Sequence, residues 1–250
     1  MLMRKVHVIT QKEMVDPNKL IDCTAVVIDV FLATSTIAFL MKNNYEPIYA
    51  MEDVESAKVF AAHQTETYIL LGEVKGESVE GFLYPDPTLI ELSQQRKSAI
   101  ICSTNGTRAI EKSKGAKALY VSSIVNGHLI AQHLHEQDDG SSIVLICSGN
   151  DNRFSMEDFV GAGQIVEHLM EKGNYLLSDA SKVARETYLH SHSISFQNLL
   201  DSETASLLGD FGFKESMNLV IQNHEKVNVL PVFSGNKIIN DYSRMQNAID

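Results

Sequence analysis

The sequence predicts an α/β fold of three layers, α/β/α, in which a largely parallel or mixed sheet lies between two layers of helices. Two observations carry this prediction. Short β-branched runs alternate with helical patterns over the first 173 residues, and runs such as residues 25–30 are apolar almost throughout, as strands covered on both faces are. The chain has 250 residues and no linker rich in Pro and Gly, so we expect one domain over residues 1–250.

In the first part of the chain, strands are predicted where β-branched and apolar residues cluster, at residues 5–9, 25–30, 47–50 and 68–71. Helices are predicted where apolar side chains recur every three to four residues, at 34–42 and 54–63. Residues 73–87 contain two glycines and two prolines, which predicts an irregular connection.

The same alternation continues with strands at residues 98–102, 118–121 and 142–147 and helices at 107–114, 127–137 and 155–172. Gly115 and Gly173 end the first and the last of these helices. In the tail, 178–190 and 202–208 are helical in pattern, and 227–233 with 237–239 predict a hairpin around Ser234-Gly235-Asn236. The tail forms either a cap or a part of the same core.

Charge and cysteine content restrict the partners and the location. The formal net charge of -11 repels phosphate backbones and anionic lipids, which argues against nucleic acid or a membrane as a partner. Three scattered cysteines without metal-type spacing favour the reducing cytoplasm. We expect no signal peptide, because the first ten residues lack a long apolar core. The oligomeric state stays open, and a homodimer is one compatible assembly.

Polar residues follow four of the predicted strands, at the edge of the sheet where α/β proteins bind ligands. Asp29 and Glu73 come directly after apolar runs, where an unpaired carboxylate is costly unless it binds a cation or a donor. Two or three carboxylates beside phosphate donors predict Mg²⁺, which takes one or two protein carboxylates plus oxygens of substrate and water.

The Thr104-Asn105-Gly106-Thr107-Arg108 turn opens a helix and has two interpretations. Its glycine, its helix N-terminus and its arginine suit a bound phosphate. The competing interpretation is an ordinary capped helix, which this spacing marks more often. Ser155-x-x-Asp158 likewise has the pattern of a capping box at the start of the longest predicted helix.

Two cysteines offer a rival chemistry. Five residues separate Cys102 from Arg108, and five separate Cys147 from Arg153, which is the spacing found in cysteine-dependent phosphatases. Both cysteines end apolar strands, however, where cysteine is commonly a small buried hydrophobe. The buried interpretation is the stronger of the two.

Together these stretches resemble the 2-phosphosulfolactate phosphatase (ComB-like) family. The resemblance rests on residues 27–37, on Gly72-Glu73 with Gly81-Phe82, on 104–108 and on 149–163, which follow one another in the family's order. Residues 229–232 are similar to the family's closing strand.

The resemblance implies a Mg²⁺-dependent phosphatase that converts 2-phospho-3-sulfolactate into 3-sulfolactate and phosphate, an early step toward coenzyme M in some organisms. Asp29, Glu73 and Asp158 would be catalytic, with Asp29 and Glu73 as the metal ligands and water as the nucleophile. The small phosphorylated acid would be held by Thr34, Ser35, Thr104, Asn105, Gly106, Thr107, Arg108 and Arg153.

The chain departs from the family at two positions that usually carry arginine, which are Leu32 and Val74 here. Each lost arginine removes a strong anion donor, worth about 1.5–3 kcal/mol, and Lys75 offers only a point charge in exchange. The substrate can therefore differ from the family's, and a second hypothesis is a non-catalytic homologue that binds anions without turnover.

Overall fold

We describe residues 3–242 of a computed structural model of the chain. In this part of the chain, eleven strands form one mixed, largely parallel sheet. They are β1 Lys5–Ile9, β2 Thr24–Ile28, β3 Tyr45–Met51, β4 Tyr68–Val74, β5 Glu77–Ser78, β6 Lys97–Cys102, β7 Ala118–Ser122, β8 Ile143–Cys147, β9 Leu176–Leu177, β10 Pro231–Ser234 and β11 Lys237–Asn240.

Eight α-helices of the described residues cover this sheet, which confirms the predicted three-layer α/β fold. They are α1 Ala33–Lys42, α2 Val54–Ala62, α3 Gly106–Ser113, α4 Gly127–Glu136, α5 Met156–Lys172, α6 Asp179–Ser193, α7 Glu203–Asp210 and α8 Lys214–Gln222. Short 3-10 helices lie at Lys12–Met14, Pro17–Lys19, Pro87–Leu89 and Gln197–Asp201. Between residues 3 and 242, no helix is both long and apolar enough to cross a bilayer.

The region predicted as irregular, residues 73–87, is more ordered than expected. Strand β4 continues to Val74 and pairs with β5 in an antiparallel hairpin. The two turn residues, Lys75 with φ 53° and Gly76 with φ 83°, both lie in the left-handed region that two-residue hairpin turns require. The helical pattern of α8 was not predicted either, because only short apolar groups mark it.

The closing hairpin lies in the middle of the sheet. The strand order is β5-β4-β6-β3-β11-β10-β7-β2-β8-β1-β9. Strand β10 runs antiparallel to β7 through Val232 and Tyr120, and β11 runs antiparallel to β3 through Ile238 and Ile48. The hairpin therefore joins two parallel blocks, and this part of the tail belongs to the core.

Helices on one face bring these two blocks together. Helix α1 packs against β3 of one block and β7 of the other, and α3 packs against β2 and β3. The carboxyl ends of β2 and β6 therefore meet, although four strands separate them in the sheet. This convergence places residues from both blocks around one pocket.

A polar cluster around Glu225 fixes the segment that leads into the hairpin. The Glu225 N–H donates to the Ile124 carbonyl at 3.1 Å, and its carboxylate lies 2.6 Å from Nε2 of His168. The other ring nitrogen of His168 lies 2.9 Å from Glu171. Hydrogen bonding to Glu225 raises the pKa of His168, and the pKa of Glu225 falls to about 2 because its bonds to His168 and Gln164 outweigh the opposing effect of burial.

The stability of the fold should depend on pH through this pair. The stabilisation of the folded state by His168 is fully present below its ordinary pKa of 6.5 and is lost as pH rises through the raised pKa. The stabilisation by Glu225 is present above its ordinary pKa of 4.5 and is lost as pH falls toward about 2. We expect His168→Gln to lower the free energy of unfolding by ~1–2 kcal/mol at pH 6 and by less at pH 9. Urea unfolding at both pH values checks this, with His190→Gln on the exposed face of α6 as control; an equal loss at pH 6 and pH 9 contradicts it.

Candidate active site

A pocket of about 140 Å³ lies at the carboxyl ends of β2, β4, β6 and β8. Residues from both parallel blocks line it, together with residues of α7 that cover it from outside. The lining consists of Asp29, Phe31, Leu32, Ala33, Glu73, Lys75, Gly76, Tyr84, Pro85, Ser103, Thr104, Asn105, Asn150, Asp151, Arg153, Thr204, Leu207 and Leu208.

Asp29 sits at the floor of this pocket, directly after β2. The Thr34 hydroxyl fixes its backbone by donating to the Asp29 carbonyl at 2.7 Å and accepting from the Asp29 N–H at 2.9 Å. The residue is only 6% exposed. Burial, together with the negative charges of Glu73 and Glu157, raises the pKa of Asp29 to about 7.

Glu73 enters the pocket from the hairpin of β4 and β5. Its carboxylate accepts hydrogen bonds from the Gly76 N–H at 2.8 Å, from the Thr104 hydroxyl at 3.1 Å and from the Thr104 N–H. The left-handed turn at Lys75 and Gly76 brings the Gly76 N–H to this carboxylate. Glu73 is therefore held by three donors while one of its oxygens keeps a lone pair for a further partner.

The negative charges of the carboxylates in and beside the pocket are only partly balanced by positive charges on neighbouring residues. Glu157 is 1% exposed, its Oε2 atom has no hydrogen-bond partner among the described residues, and its charge adds to the raised pKa of Asp29. Between residues 3 and 242, no three His, Cys, Asp or Glu side chains are grouped as a complete metal site. Asp29 and Glu73 alone would suit Mg²⁺, which accepts two carboxylates and takes its other oxygens from water and substrate.

Asp158 does not line the pocket but ties two of its loops together. Its Oδ1 accepts from the Val30 N–H at 2.8 Å and its Oδ2 from the Gly149 N–H at 3.1 Å. Ser155 caps α5 by accepting from the Asp158 N–H at 3.2 Å, which is one half of the predicted capping box. The structure thus places Asp158 where it positions the residues after β2 and β8.

The loop after β8 presents Arg153 to the pocket. Asn150 and Arg153 exchange two backbone hydrogen bonds of 2.9 and 3.0 Å, with Asp151 at φ 47° and Asn152 at φ 64° between them. Asp and Asn tolerate this left-handed conformation better than other side chains, which explains their presence in the turn. Arg153 reaches Glu203 of α7 at 3.3 Å, and both side chains are exposed.

The residues predicted to bind phosphate fall into two groups. Thr104, Asn105 and Arg153 line the pocket together with Asp29 and Glu73. Gly106 lies behind Asp29, whose Oδ2 would be only 2.7 Å from an added Cβ atom. The other residues predicted to bind phosphate lie outside the lining. Thr34 and Ser35 bond the backbone of residues 29 and 30, and Thr107 bonds Ser103. Arg108 is exposed and donates to the Glu52 carbonyl at 3.4 Å.

Sequence reasoning missed several residues of the site. Lys12 follows the first strand and its ammonium lies 2.8 Å from the Asn105 side chain, so the strand-end rule would have found it. Tyr84 and the residues of α7, Thr204, Leu207 and Leu208, gave no signal in the sequence. Tyr84 reaches the pocket from the connection between β5 and β6, and the α7 residues reach it through the packing of the tail.

The two cysteines do not support the thiolate chemistry. Burial raises the pKa of Cys102 to about 11 and raises that of the fully buried Cys147 well above the ordinary value. A thiol that acts as a nucleophile needs the opposite shift, toward the thiolate at neutral pH. Both side chains are packed as small apolar groups of the core.

The two departures from the family pattern have different surroundings. Leu32 is buried and lines the pocket, where it forms an apolar wall with Phe31, Leu207 and Leu208. Val74 is 46% exposed and lies outside the pocket lining, whereas its neighbour Lys75 lines the pocket. The missing arginine at position 32 therefore changes the wall of the pocket, and the one at position 74 does not.

Comparison with known proteins places the chain among phosphatases. The family described as 2-phosphosulpholactate phosphatase matches residues 9–236. A probable 2-phosphosulfolactate phosphatase of Clostridium novyi (strain NT) is 29% identical over 94% of this chain and 99% of its own length. Proteins of the same name are 30% identical in Clostridium perfringens, over 85% of this chain and 87% of theirs, and 29% identical in Pseudothermotoga lettingae, over 86% and 91%.

Proposed function

Because the chain belongs to the 2-phosphosulpholactate phosphatase family, we propose that it hydrolyses 2-phospho-3-sulfolactate to 3-sulfolactate and inorganic phosphate with the help of Mg²⁺. The observation that carries this proposal is the meeting of Asp29 and Glu73 with Lys75 and Arg153 in one small pocket. Metal-assisted hydrolysis of a phosphate ester needs cation ligands and anion donors that face the same space.

Asp29 and Glu73 are the residues that would hold the metal ion. The raised pKa of Asp29 supports this role, since the repulsion among Asp29, Glu73 and Glu157 is relieved by a nearby cation. When bound, Mg²⁺ polarises the phosphoryl oxygens and lowers the pKa of water in the site. The hydrogen bonds that Thr104 and Gly76 donate to Glu73 hold its carboxylate in place.

Lys75, Arg153 and the Asn105 amide would hold the anionic groups of the substrate. Arg153 shares its charge with Glu203, but the two side chains are 60% and 75% exposed, and such a pair contributes only ~0–1 kcal/mol. Arg153 can therefore exchange Glu203 for a substrate oxygen at little cost. The apolar side chains of Leu32 and Leu207 add a part of the lining that carries no competing charge.

In the proposed reaction a water molecule attacks phosphorus, and the bond between phosphorus and the C2 oxygen of the substrate breaks. One proton of the water ends on that C2 oxygen, and the remaining hydroxyl becomes part of inorganic phosphate. The chain's own contribution is to orient the phosphate against Asp29 and Glu73 and to stabilise the charge of its oxygens through positioned donors.

The direct test is phosphate release from 2-phosphosulfolactate by the purified protein, in Mg²⁺ and in EDTA. We expect release that EDTA abolishes and that excess Mg²⁺ restores. Release that EDTA leaves unchanged would overturn the role of the metal. Binding of the substrate without release would favour the non-catalytic alternative, and a panel of phosphorylated hydroxy acids would then show whether another ester is turned over.

Replacing Cys102 with alanine separates this proposal from the thiolate route. The thiol is buried and its pKa is raised to about 11, so we expect Cys102→Ala to keep its rate of phosphate release within ~3-fold of the wild type. Treatment of the wild type with iodoacetamide should likewise leave the rate unchanged. A loss of ~10³-fold in Cys102→Ala, with no effect of EDTA on the wild type, would instead establish covalent catalysis by the thiol.

A further inference from the structure

Lys12 places a buried positive charge beneath the pocket. It follows β1 in a short 3-10 helix and is only 5% exposed. Its ammonium lies 2.8 Å from Asn105 Oδ1, 2.8 Å from Glu13 Oε1 and 3.4 Å from the Ser148 carbonyl. Lysine is rarely buried unless it is paired, and here one of its partners is a residue of the pocket wall.

The contacts of Asn105 fix which end of its amide faces the pocket. Its Oδ1 accepts from the Lys12 ammonium at 2.8 Å and from the Asp151 N–H at 3.2 Å. Both of these groups can only donate, so the oxygen of the amide must face them. The Nδ2 group then turns the other way, and within residues 3–242 it has no hydrogen-bond acceptor.

Asn105 stands at the start of a helix but does not cap it with its side chain. It is the N-cap residue of α3, where an asparagine side chain ordinarily accepts from the first turn of the helix, yet it makes no such bond. Instead, Ser103 accepts from the Thr107 N–H at 3.1 Å. The Asn105 side chain is thus diverted from capping toward Lys12, which leaves the Nδ2 donor of this pocket-lining residue without a partner among residues 3–242.

We propose that Lys12 is a positioning residue for catalysis, which holds the Asn105 amide so that Nδ2 donates to the phosphoryl oxygens of the bound ester. This inference rests on the proposed phosphatase function and adds a specific donor and its support to it. A donor held in advance at the reacting group lowers the barrier because it does not have to reorient during the reaction.

The test is a double-mutant cycle of Lys12→Met and Asn105→Ala, assayed for phosphate release from 2-phosphosulfolactate with Mg²⁺. We expect ~10²-fold lower kcat in Asn105→Ala and ~10–10²-fold lower kcat in Lys12→Met, with KM changed by less than ~3-fold in both. Because Lys12 acts through Asn105, the double variant should match Asn105→Ala within ~3-fold. Losses that multiply in the double variant would overturn the inference.

Lys112→Met is the matched control. The Lys112 ammonium lies 3.3 Å from the Lys12 carbonyl but does not contact Asn105, so this variant removes a neighbouring positive charge and should keep kcat within ~2-fold. Asn105→Asp is the second variant, for the case that Lys12→Met does not fold. It keeps an oxygen for Lys12 and replaces the Nδ2 donor with a carboxylate oxygen that repels the phosphate, so we expect a loss of at least ~10²-fold, and near-normal activity would overturn the role of Nδ2.

Failure of the inference can be told apart from failure of the proposed function. If the wild type releases no phosphate from the ester, the proposed function has failed. The cycle is then run on the binding of orthovanadate, a mimic of the transition state of phosphoryl transfer, measured by calorimetry with Mg²⁺. At least ~10-fold weaker binding in both Lys12→Met and Asn105→Asp supports the inference, and unchanged binding in either variant overturns it.

Discussion

Replacing Asp29 with asparagine should reduce phosphate release by at least ~10³-fold, which corresponds to about 4 kcal/mol of transition-state stabilisation. The two side chains have the same shape, but the amide cannot supply the charge that a Mg²⁺ ligand needs. The same substitution should stabilise the metal-free protein, because burial, together with the negative charges of Glu73 and Glu157, raises the pKa of Asp29 to about 7. A substitution that abolishes activity and stabilises the fold identifies a charged residue that is needed for function although it destabilises the folded state.

The gain in stability should depend on pH. The unfolded chain loses the Asp29 proton at lower pH than the folded protein does, so the cost of this carboxylate grows between the ordinary pKa of 3.8 and about 7 and is complete above that. In EDTA, Asp29→Asn should therefore raise the free energy of unfolding by up to about 4 kcal/mol at pH 8 and by little at pH 4. Asp53→Asn, at the exposed N-cap of α2, is the control and should leave both activity and stability nearly unchanged. An active Asp29→Asn protein, or one less stable than the wild type at pH 8, would contradict this account.

Replacing Gly106 with alanine should displace Asp29 or the start of helix α3 and so disturb the site. A Cβ atom at this position would lie 2.7 Å from Asp29 Oδ2 and 2.7 Å from the Cβ of Ala33. Since both contacts are too short, either α3 or the β2–α1 turn must move. We expect Gly106→Ala to lower kcat/KM by ~10–10²-fold and the free energy of unfolding by ~1–3 kcal/mol.

The chain offers the same substitution at the other end of this helix. An added Cβ atom at Gly115 would have no neighbour within 4 Å, so Gly115→Ala should leave the kinetics unchanged. Steady-state kinetics and thermal unfolding of the two variants form the measurement. If Gly106→Ala behaves like Gly115→Ala, then α3 does not pack against Asp29 as described.

The parts of the site that follow single strands were predictable from the sequence. Asp29, Asn105 and Arg153 were found because each follows an apolar run, and the carboxyl ends of parallel strands share one edge of the sheet. Arg108 was grouped with them by sequence neighbourhood, but it is the third residue of α3 and the helical rotation turns it away from the pocket toward Glu52. Which face of a helix lies against the pocket is decided by how the helix packs on the sheet, and local sequence patterns do not reveal this packing.

The closing hairpin was predicted as a hairpin, but its place at the centre of the sheet was not. Its pairing with β7 and β3 joins residues more than 100 positions apart, such as Val232 with Tyr120. The same holds for α7, whose Leu207 and Leu208 cover the pocket although nothing in their own sequence points to a ligand. Long-range register of this kind is set by the whole core rather than by local residue preference.

Binding of Mn²⁺, a spectroscopic substitute for Mg²⁺, tests the metal site of this pocket and is followed by the electron paramagnetic resonance signal of the free ion. We expect the metal-free wild type to bind Mn²⁺, both Asp29→Asn and Glu73→Gln to lose this binding, and Asp53→Asn to bind like the wild type. Unweakened binding in Asp29→Asn and Glu73→Gln, or no binding by an active wild-type enzyme, would contradict a metal-dependent phosphatase site at this pocket.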